Sequence, residues 1–299
     1  MAVTLGLMPV FHSSTILDRD WVEGFLRIAE AGGVEAVYTV EHVVMGVDYE
    51  PLYPYSEDGQ APAGEGTVMP DPLEWLAFAA AVTDRILLST SVVVASQHSA
   101  AILAKRVATI DGLSRGRVRL GVGLGWQKEE YEACGVPYND RGRRLDECIE
   151  AMRVLWAEGP AKYQGRHVSL PNVVMDTKPH RPEGVPIIIG GSTSFAARRV
   201  GRLGDGFFPY VISPEDFGER MEEIRQAAKA CGRDASTFDI SIWPGSFAPG
   251  ATFDLDLAKR YVDAGANRIV LNAMEGGDPT LEGIERFVGE AQEKLIAKL

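Results

Sequence analysis

Eight runs of apolar, largely β-branched residues recur along this chain, and a helical pattern fills most of the gaps between them. The runs are Val3–Leu7, Ala36–Val40, Ile86–Val94, Val118–Gly123, Pro186–Ile189, Phe207–Tyr210, Phe238–Trp243 and Arg268–Asn272. Helical spacing is clearest over Arg141–Trp156, over Glu215–Cys231 and in the last helix, where apolar residues fall at steps of three and four. Strict alternation of strand and helix predicts an α/β fold, and eight repeats fit a (β/α)8 TIM barrel better than an open sheet. An internal echo agrees: Ala29–Tyr38 and Val262–Val270 both run from a helix end through an Ala-Gly turn into a strand. Two segments break the pattern. Val43–Pro70 follows the second strand and is rich in Pro, Gly and Tyr; Gly159–Gly184 precedes the fifth, with a short hairpin expected over Tyr163–Leu170. Long loops of this kind in a compact domain are lids or mobile segments. No linker and no second core pattern is visible, so residues 1–299 read as one domain.

Composition narrows the function classes. At 299 residues with 45% hydrophobic content the chain can bury a sizeable core. No run of about 18 apolar residues is present to span a membrane. The N-terminal segment lacks a basic region and reads directly as a strand, and three cysteines without metal-site spacing fit a reducing cytoplasm. A net charge of −12 argues against nucleic acid or an anionic membrane as partner. Any anionic ligand must then be held by a local site.

The segment Pro186–Tyr210 supplies such a site. Its strand stops at Gly190-Gly191, and Ser192–Ser194 bring N-cap chemistry to a helix that runs to about Leu203. Two glycines and the unpaired N–H groups of a first helical turn make a phosphate cradle. Arg198, Arg199 and Arg202 on that helix are candidate contributors of positive charge, although solvated helix-face arginines are the commoner case.

Active sites of such barrels lie at the C-terminal ends of the strands. Those ends carry Glu41-His42, Ser91-Val92, the glycines Gly123 and Gly125 before Trp126, Gly190–Ser192, Tyr210, Trp243 and Asn272. His42 is the foremost acid–base candidate, because Glu41 leaves the strand at the same edge and can orient or charge the ring. A hydrogen-bonded rim histidine is the plain alternative. His12 and His98 rank below it, and His167 and His180 fall in the second insertion. No histidine pair has metal-ligand spacing, and there is no Gly-x-Ser-x-Gly elbow. Gly121-Val-Gly-Leu-Gly-Trp126 is not a dinucleotide fingerprint: Trp126 and Lys128 stand where glycine is required, and Glu129-Glu130 would repel a pyrophosphate. What remains is a strand end that allows close backbone approach to something flat or bulky.

Several of these motifs together resemble the bacterial luciferase-like family of flavin- and deazaflavin-dependent oxidoreductases. They are Tyr38–His42, Ser89–Val93, Leu113–Tyr131, Gly135-Val-Pro with Arg141, Ile189–Ser192 and Gly204–Phe207, in family order over almost the whole chain. The resemblance implies FMN or coenzyme F420 at the barrel mouth. Its ring would lie near Glu41, His42, Ser91, Val92 and Gly123–Gly125, and its phosphate at Gly190, Gly191 and Ser192. It also implies a non-proline cis peptide at Ser91–Val92, and a homodimer. Within the family the pattern is most similar to the F420-dependent subgroup. There a histidine at the position of His42 is proposed to exchange a proton with substrate while hydride moves to or from the deazaflavin. The sugar-phosphate dehydrogenases of that subgroup carry glutamate where this chain has Trp126, which points to a more apolar substrate.

F420-dependent hydride transfer with a small, fairly apolar organic molecule is therefore the first expectation. An FMN-dependent monooxygenase using reduced flavin and O2 is the alternative within the family, and a non-catalytic flavin-binding protein the alternative outside it. A phosphate-binding lyase would want a lysine at a strand end, and none is present.

Overall fold

The structure is a computed structural model that describes residues 2–11, 14–63 and 66–299. Strands β1 (Thr4–Met8), β2 (Ala36–Thr39), β3 (Leu87–Thr90), β4 (Val118–Val122), β7 (Ile187–Gly190), β8 (Gly206–Phe208), β9 (Asp239–Ile242) and β10 (Arg268–Asn272) close into one parallel barrel. β1 closes the ring by pairing with both β10 and β2. All eight expected strands are present. The third is shorter than its apolar run, ending at Thr90, because the chain leaves the ladder at Ser91. Their near-continuous apolar character follows from being covered on both faces.

The helices are α1 (Arg19–Ala31), α2 (Pro72–Val82), α3 (Ala100–Leu113), α4 (Lys128–Ala133), α5 (Arg141–Trp156), α6 (Ser194–Leu203), α7 (Pro214–Ala230), α8 (Pro244–Phe247), α9 (Leu255–Ala264) and α10 (Leu281–Lys294). Strict one-to-one alternation is thus corrected: β4 and β9 are each followed by two helices. The extra pieces, α4 and α8, are too short to show a helical period in sequence. Boundaries are set by caps the sequence carries. Asp18, Asp71, Thr193, Ser213, Asp254 and Thr280 each accept a hydrogen bond from a first-turn N–H, and Pro72 and Pro214 open their helices where a missing N–H costs nothing.

Most of the core lies between the barrel and its helices, while Met8, Tyr38, Ile188, Phe208 and Val270 form a separate cluster. The second insertion holds the antiparallel pair β5 (Ala161–Gln164) and β6 (Ser169–Val173), a wider hairpin than the sequence suggested. The first insertion carries no helix or strand among its described residues. Among the described residues no helix is long and apolar enough to cross a membrane.

Candidate functional site

A cavity of about 910 Å³ opens among the C-terminal ends of the strands. Its wall includes the residues expected at the cofactor ring and phosphate: Glu41, His42, Ser91, Val92, Gly123, Gly125, Gly190, Gly191 and Ser192. The volume is within the range of small-molecule and cofactor sites. His98, His167 and His180 do not line it, and His12 lies outside the described residues.

The floor is shaped by the end of β3. The Ser91–Val92 peptide is cis. Ser91 N–H donates to Thr39 O at 2.5 Å and Val93 N–H to Gly121 O at 2.8 Å, so this segment stays wedged between the ends of β2 and β4. A Cβ added at Gly123 would lie 2.5 Å from one Val92 methyl, and at Gly190 2.7 Å from the other. The bulky partner that the glycine run of β4 admits is therefore, in part, this chain's own Val92.

The cradle expected for a phosphate falls at the start of α6. Gly191 has φ of +98°, a conformation that L side chains rarely adopt. Thr193 caps the helix through Ala196 N–H at 3.2 Å, and the Ser192 hydroxyl donates to Tyr210 O. A first helical turn leaves N–H groups without helical partners, and these are groups that can hold an anion. Close by, the start of α5 contributes Asp140, Arg141 and Gly142 to the wall. The Arg141 guanidinium stacks on Tyr138 at 3.9 Å, and its Nε is buried with no hydrogen-bond partner among the described residues. Arg199 also lines the cavity but is held by Asp146 at 2.5 Å and by Gly142 O. Of the other two helix arginines, Arg202 binds the same Asp146 and Arg198 packs over Phe195, and neither reaches the wall. A free anion-binding nitrogen beside a glycine turn fits a phosphate-bearing cofactor.

The histidine geometry corrects one expectation. Glu41 does not orient His42. Its carboxylate accepts from Val94 N–H at 2.7 Å and from His98 Nε2 at 2.9 Å. Both residues lie beyond the end of β2, and each side chain turns to a different partner. His42 Nδ1 instead lies 3.1 Å from Glu130 Oε2 on α4, while Glu130 Oε1 accepts from Val43 N–H at 2.7 Å. The Glu130 side chain is fully buried and that of His42 is 17% exposed. His42 Nε2 has no hydrogen-bond partner among the described residues.

An aromatic wall covers the cavity. Trp126 meets His42, Tyr49 and Tyr53 edge-on at 6.1, 5.1 and 5.4 Å between ring centres. Tyr53 meets Tyr55, Tyr55 meets Tyr210, and Tyr210 meets Trp243. Such contacts are worth about 0.5–1.5 kcal/mol each beyond burial. Burial, then the neighbouring Tyr210 phenol, pushes the Tyr53 phenol far above its ordinary value, so it stays neutral.

Sequence reasoning passed over Glu130, Tyr53 and Tyr55. Glu130 was visible only as an acid a few residues beyond the end of a strand, and the tyrosines as Tyr53-Pro54-Tyr55 within the insertion.

A family model described as luciferase-like monooxygenase matches residues 15–268. An uncharacterised protein of Mycobacterium tuberculosis is 35% identical over 211 residues, 70% of this chain and 73% of that one. An F420-dependent glucose-6-phosphate dehydrogenase of Beutenbergia cavernae is 34% identical over 185 residues, 60% of this chain and 49% of that one. Among solved structures, an F420-dependent secondary alcohol dehydrogenase in complex with an F420-acetone adduct has a TM-score of 0.77 at 18% identity, covering 100% of both chains. That likeness is one of fold.

Proposed function

The chain belongs to the luciferase-like monooxygenase family, and from that premise we propose that it is an F420-dependent oxidoreductase. Its substrate is a small, uncharged, largely apolar organic molecule. The observation that carries the cofactor choice is Arg141, with its unpartnered Nε, beside Arg199 near the Gly190–Ser192 turn. F420 extends past its phosphate into an anionic tail and gains from cations there, whereas FMN ends at the phosphate. The glucose-6-phosphate dehydrogenase relative named for F420 supports the same choice.

F420, when bound, supplies the two-electron hydride donor or acceptor. Gly190, Gly191 and Ser192 would hold the phosphate through backbone N–H groups, and Arg141, whose Nε has no partner among the described residues, would meet the anionic tail beyond it, while Arg199 stays paired with Asp146. Ser91, Val92, Gly123 and Gly125 support the ring. His42 gives or takes, at Nε2, the proton that accompanies the hydride at the substrate's heteroatom. Glu41 acts at one remove, by tying Val94 and His98 to the end of β2. Trp126, Tyr53, Tyr55 and Tyr210 exclude water and offer apolar surface, which favours an uncharged substrate over a sugar phosphate.

Separate fluorescence titrations with F420 and with FMN test this reading. Tighter binding of F420 supports it. Tighter binding of FMN selects the reduced-flavin monooxygenase instead, and binding of neither overturns the cofactor assignment.

A further inference from the structure

We infer that Glu130 is the positioning residue of this site. One buried carboxylate fixes the tautomer of His42 and also the point where the Val43–Pro70 insertion leaves the barrel. The inference rests on the reading of His42 as the proton-exchanging group.

The Glu130 carboxylate offers two oxygens, and each meets a different donor: Oε1 receives Val43 N–H at 2.7 Å and Oε2 faces His42 Nδ1 at 3.1 Å. A carboxylate has only acceptors to offer, so Nδ1 carries a proton, and in the neutral imidazole that is its one proton. Nε2 then carries a lone pair, and His42 lines the cavity. Among the described residues no other carboxylate pairs with His42. Glu41, the neighbour in sequence, is taken up by Val94 N–H and His98. The side chain of Glu130 has no solvent exposure, so losing either donor would leave a buried carboxylate oxygen unpaired, which is costly.

The neighbours of Glu130 share one of its two tasks but not the other. Gln127 Oε1 accepts from Gly46 N–H at 3.1 Å, Glu129 Oε1 accepts from Glu50 N–H at 3.0 Å, and Lys128 pairs with the Glu50 carboxylate. Residues 127–130 thus fasten the first part of the insertion at three further points, none of which touches His42. Glu130 alone among them reaches the histidine, so its effect on the ring is separable from anchoring of the insertion.

The test is nitrogen NMR of the full chain labelled with 15N-histidine, with the His42 signals assigned by their loss in His42→Ala. Wild type is expected to show His42 as the Nδ1–H tautomer. In Glu130→Gln the amide can present either its oxygen or its N–H to Nδ1, so the fixed tautomer should give way to a mixture. Turnover should fall by about 10–100-fold, as when a histidine loses its outer carboxylate partner, with F420 affinity unchanged. Glu129→Ala loosens the insertion at Glu50 only and should leave the His42 signals in place. An Nε2–H tautomer in wild type overturns the inference without any Glu130 variant. So does an unaltered tautomer in Glu130→Gln, or an equal change in Glu129→Ala. Wild-type turnover in His42→Ala, by contrast, removes the proton-transfer reading and leaves the tautomer result standing.

Discussion

At the N-terminal end of the barrel, Arg268 reaches Glu35, Asp239, Ser241 and the Tyr38 phenol, and Tyr38 in turn bonds Ser241 at 2.9 Å. Arg119 approaches Asp239 from across the barrel. At the C-terminal end, Met8, Phe11, Phe208 and Trp243 face an open cavity. The first region buries charge with its partners complete. Among the described residues the second leaves the buried Arg141 Nε without a partner, and His42 is bonded at Nδ1 alone. It also holds Val211 at φ of +47°, a conformation that is an outlier for a β-branched residue. One end of the barrel specifies and stabilises the fold, which lets the other end depart from good packing where chemistry needs it.

His42→Ala sharpens the contrast most. Turnover should fall by roughly 10²–10⁴-fold, the usual size of a general acid–base contribution, while the thermal midpoint drops only modestly, because the buried Glu130 carboxylate loses one of its two donors. Steady-state assays with F420 and melting curves on the same preparation check both halves. A variant with wild-type turnover would make His42 a structural rim residue.

Arg268→Met is the opposite case. Removing the guanidinium leaves Asp239 and the Tyr38 phenol buried without their cation, at a cost of about 3 kcal/mol, the lower end for a broken buried pair because Glu35 is partly exposed. Urea unfolding should show that loss, with the cofactor dissociation constant unchanged. An equal loss of cofactor affinity would break the division of labour between the two ends.

Gly191→Val strains a backbone position at φ of +98° rather than filling space, since the nearest atom to an added Cβ is Ala196 Cβ at 3.5 Å. Cofactor affinity should weaken by roughly 10-fold or more, because loss of one charge-assisted hydrogen bond costs about 1.5–3 kcal/mol. Unchanged affinity would place the phosphate elsewhere.

The smallest effect concerns pH. Burial pushes the Glu35 carboxyl up, but the Arg268 guanidinium and the Thr4 hydroxyl outweigh it, and the net shift is downward from 4.5. A lowered folded-state value means the contribution is present above the unfolded value near 4.5 and is lost as pH falls through the folded one. Glu35→Gln should therefore be less stable than wild type at neutral pH and converge with it in acid. A stability gap that persists unchanged in acid would detach Glu35 from the Arg268 network.

The same two ends differ in how far the sequence reveals them. The barrel was legible because buried parallel strands leave continuous apolar runs and each cap residue marks a helix start. The cavity was legible wherever a feature sits at a strand end, as with His42 and Gly190–Ser192. Partners drawn from distant parts of the chain were not. Adjacency pointed from His42 to Glu41, yet the bond goes to Glu130, 88 positions away. Glu129-Glu130 read as a repulsive acidic stretch because nothing local shows that Glu130 is buried against a histidine. The aromatic wall escaped for the same reason: Tyr53 and Tyr55 gain meaning only once the insertion folds back over Trp126 and Tyr210.

A crystal structure of the protein with F420 bound tests the central claim most directly. The account predicts the phosphate within hydrogen-bond reach of the Gly191 or Ser192 N–H, the ring against Ser91–Val92, and His42 Nε2 facing the remaining space beneath Trp126 and Tyr53. A cofactor whose phosphate lies away from the start of α6, or whose ring lies outside this cavity, would contradict it.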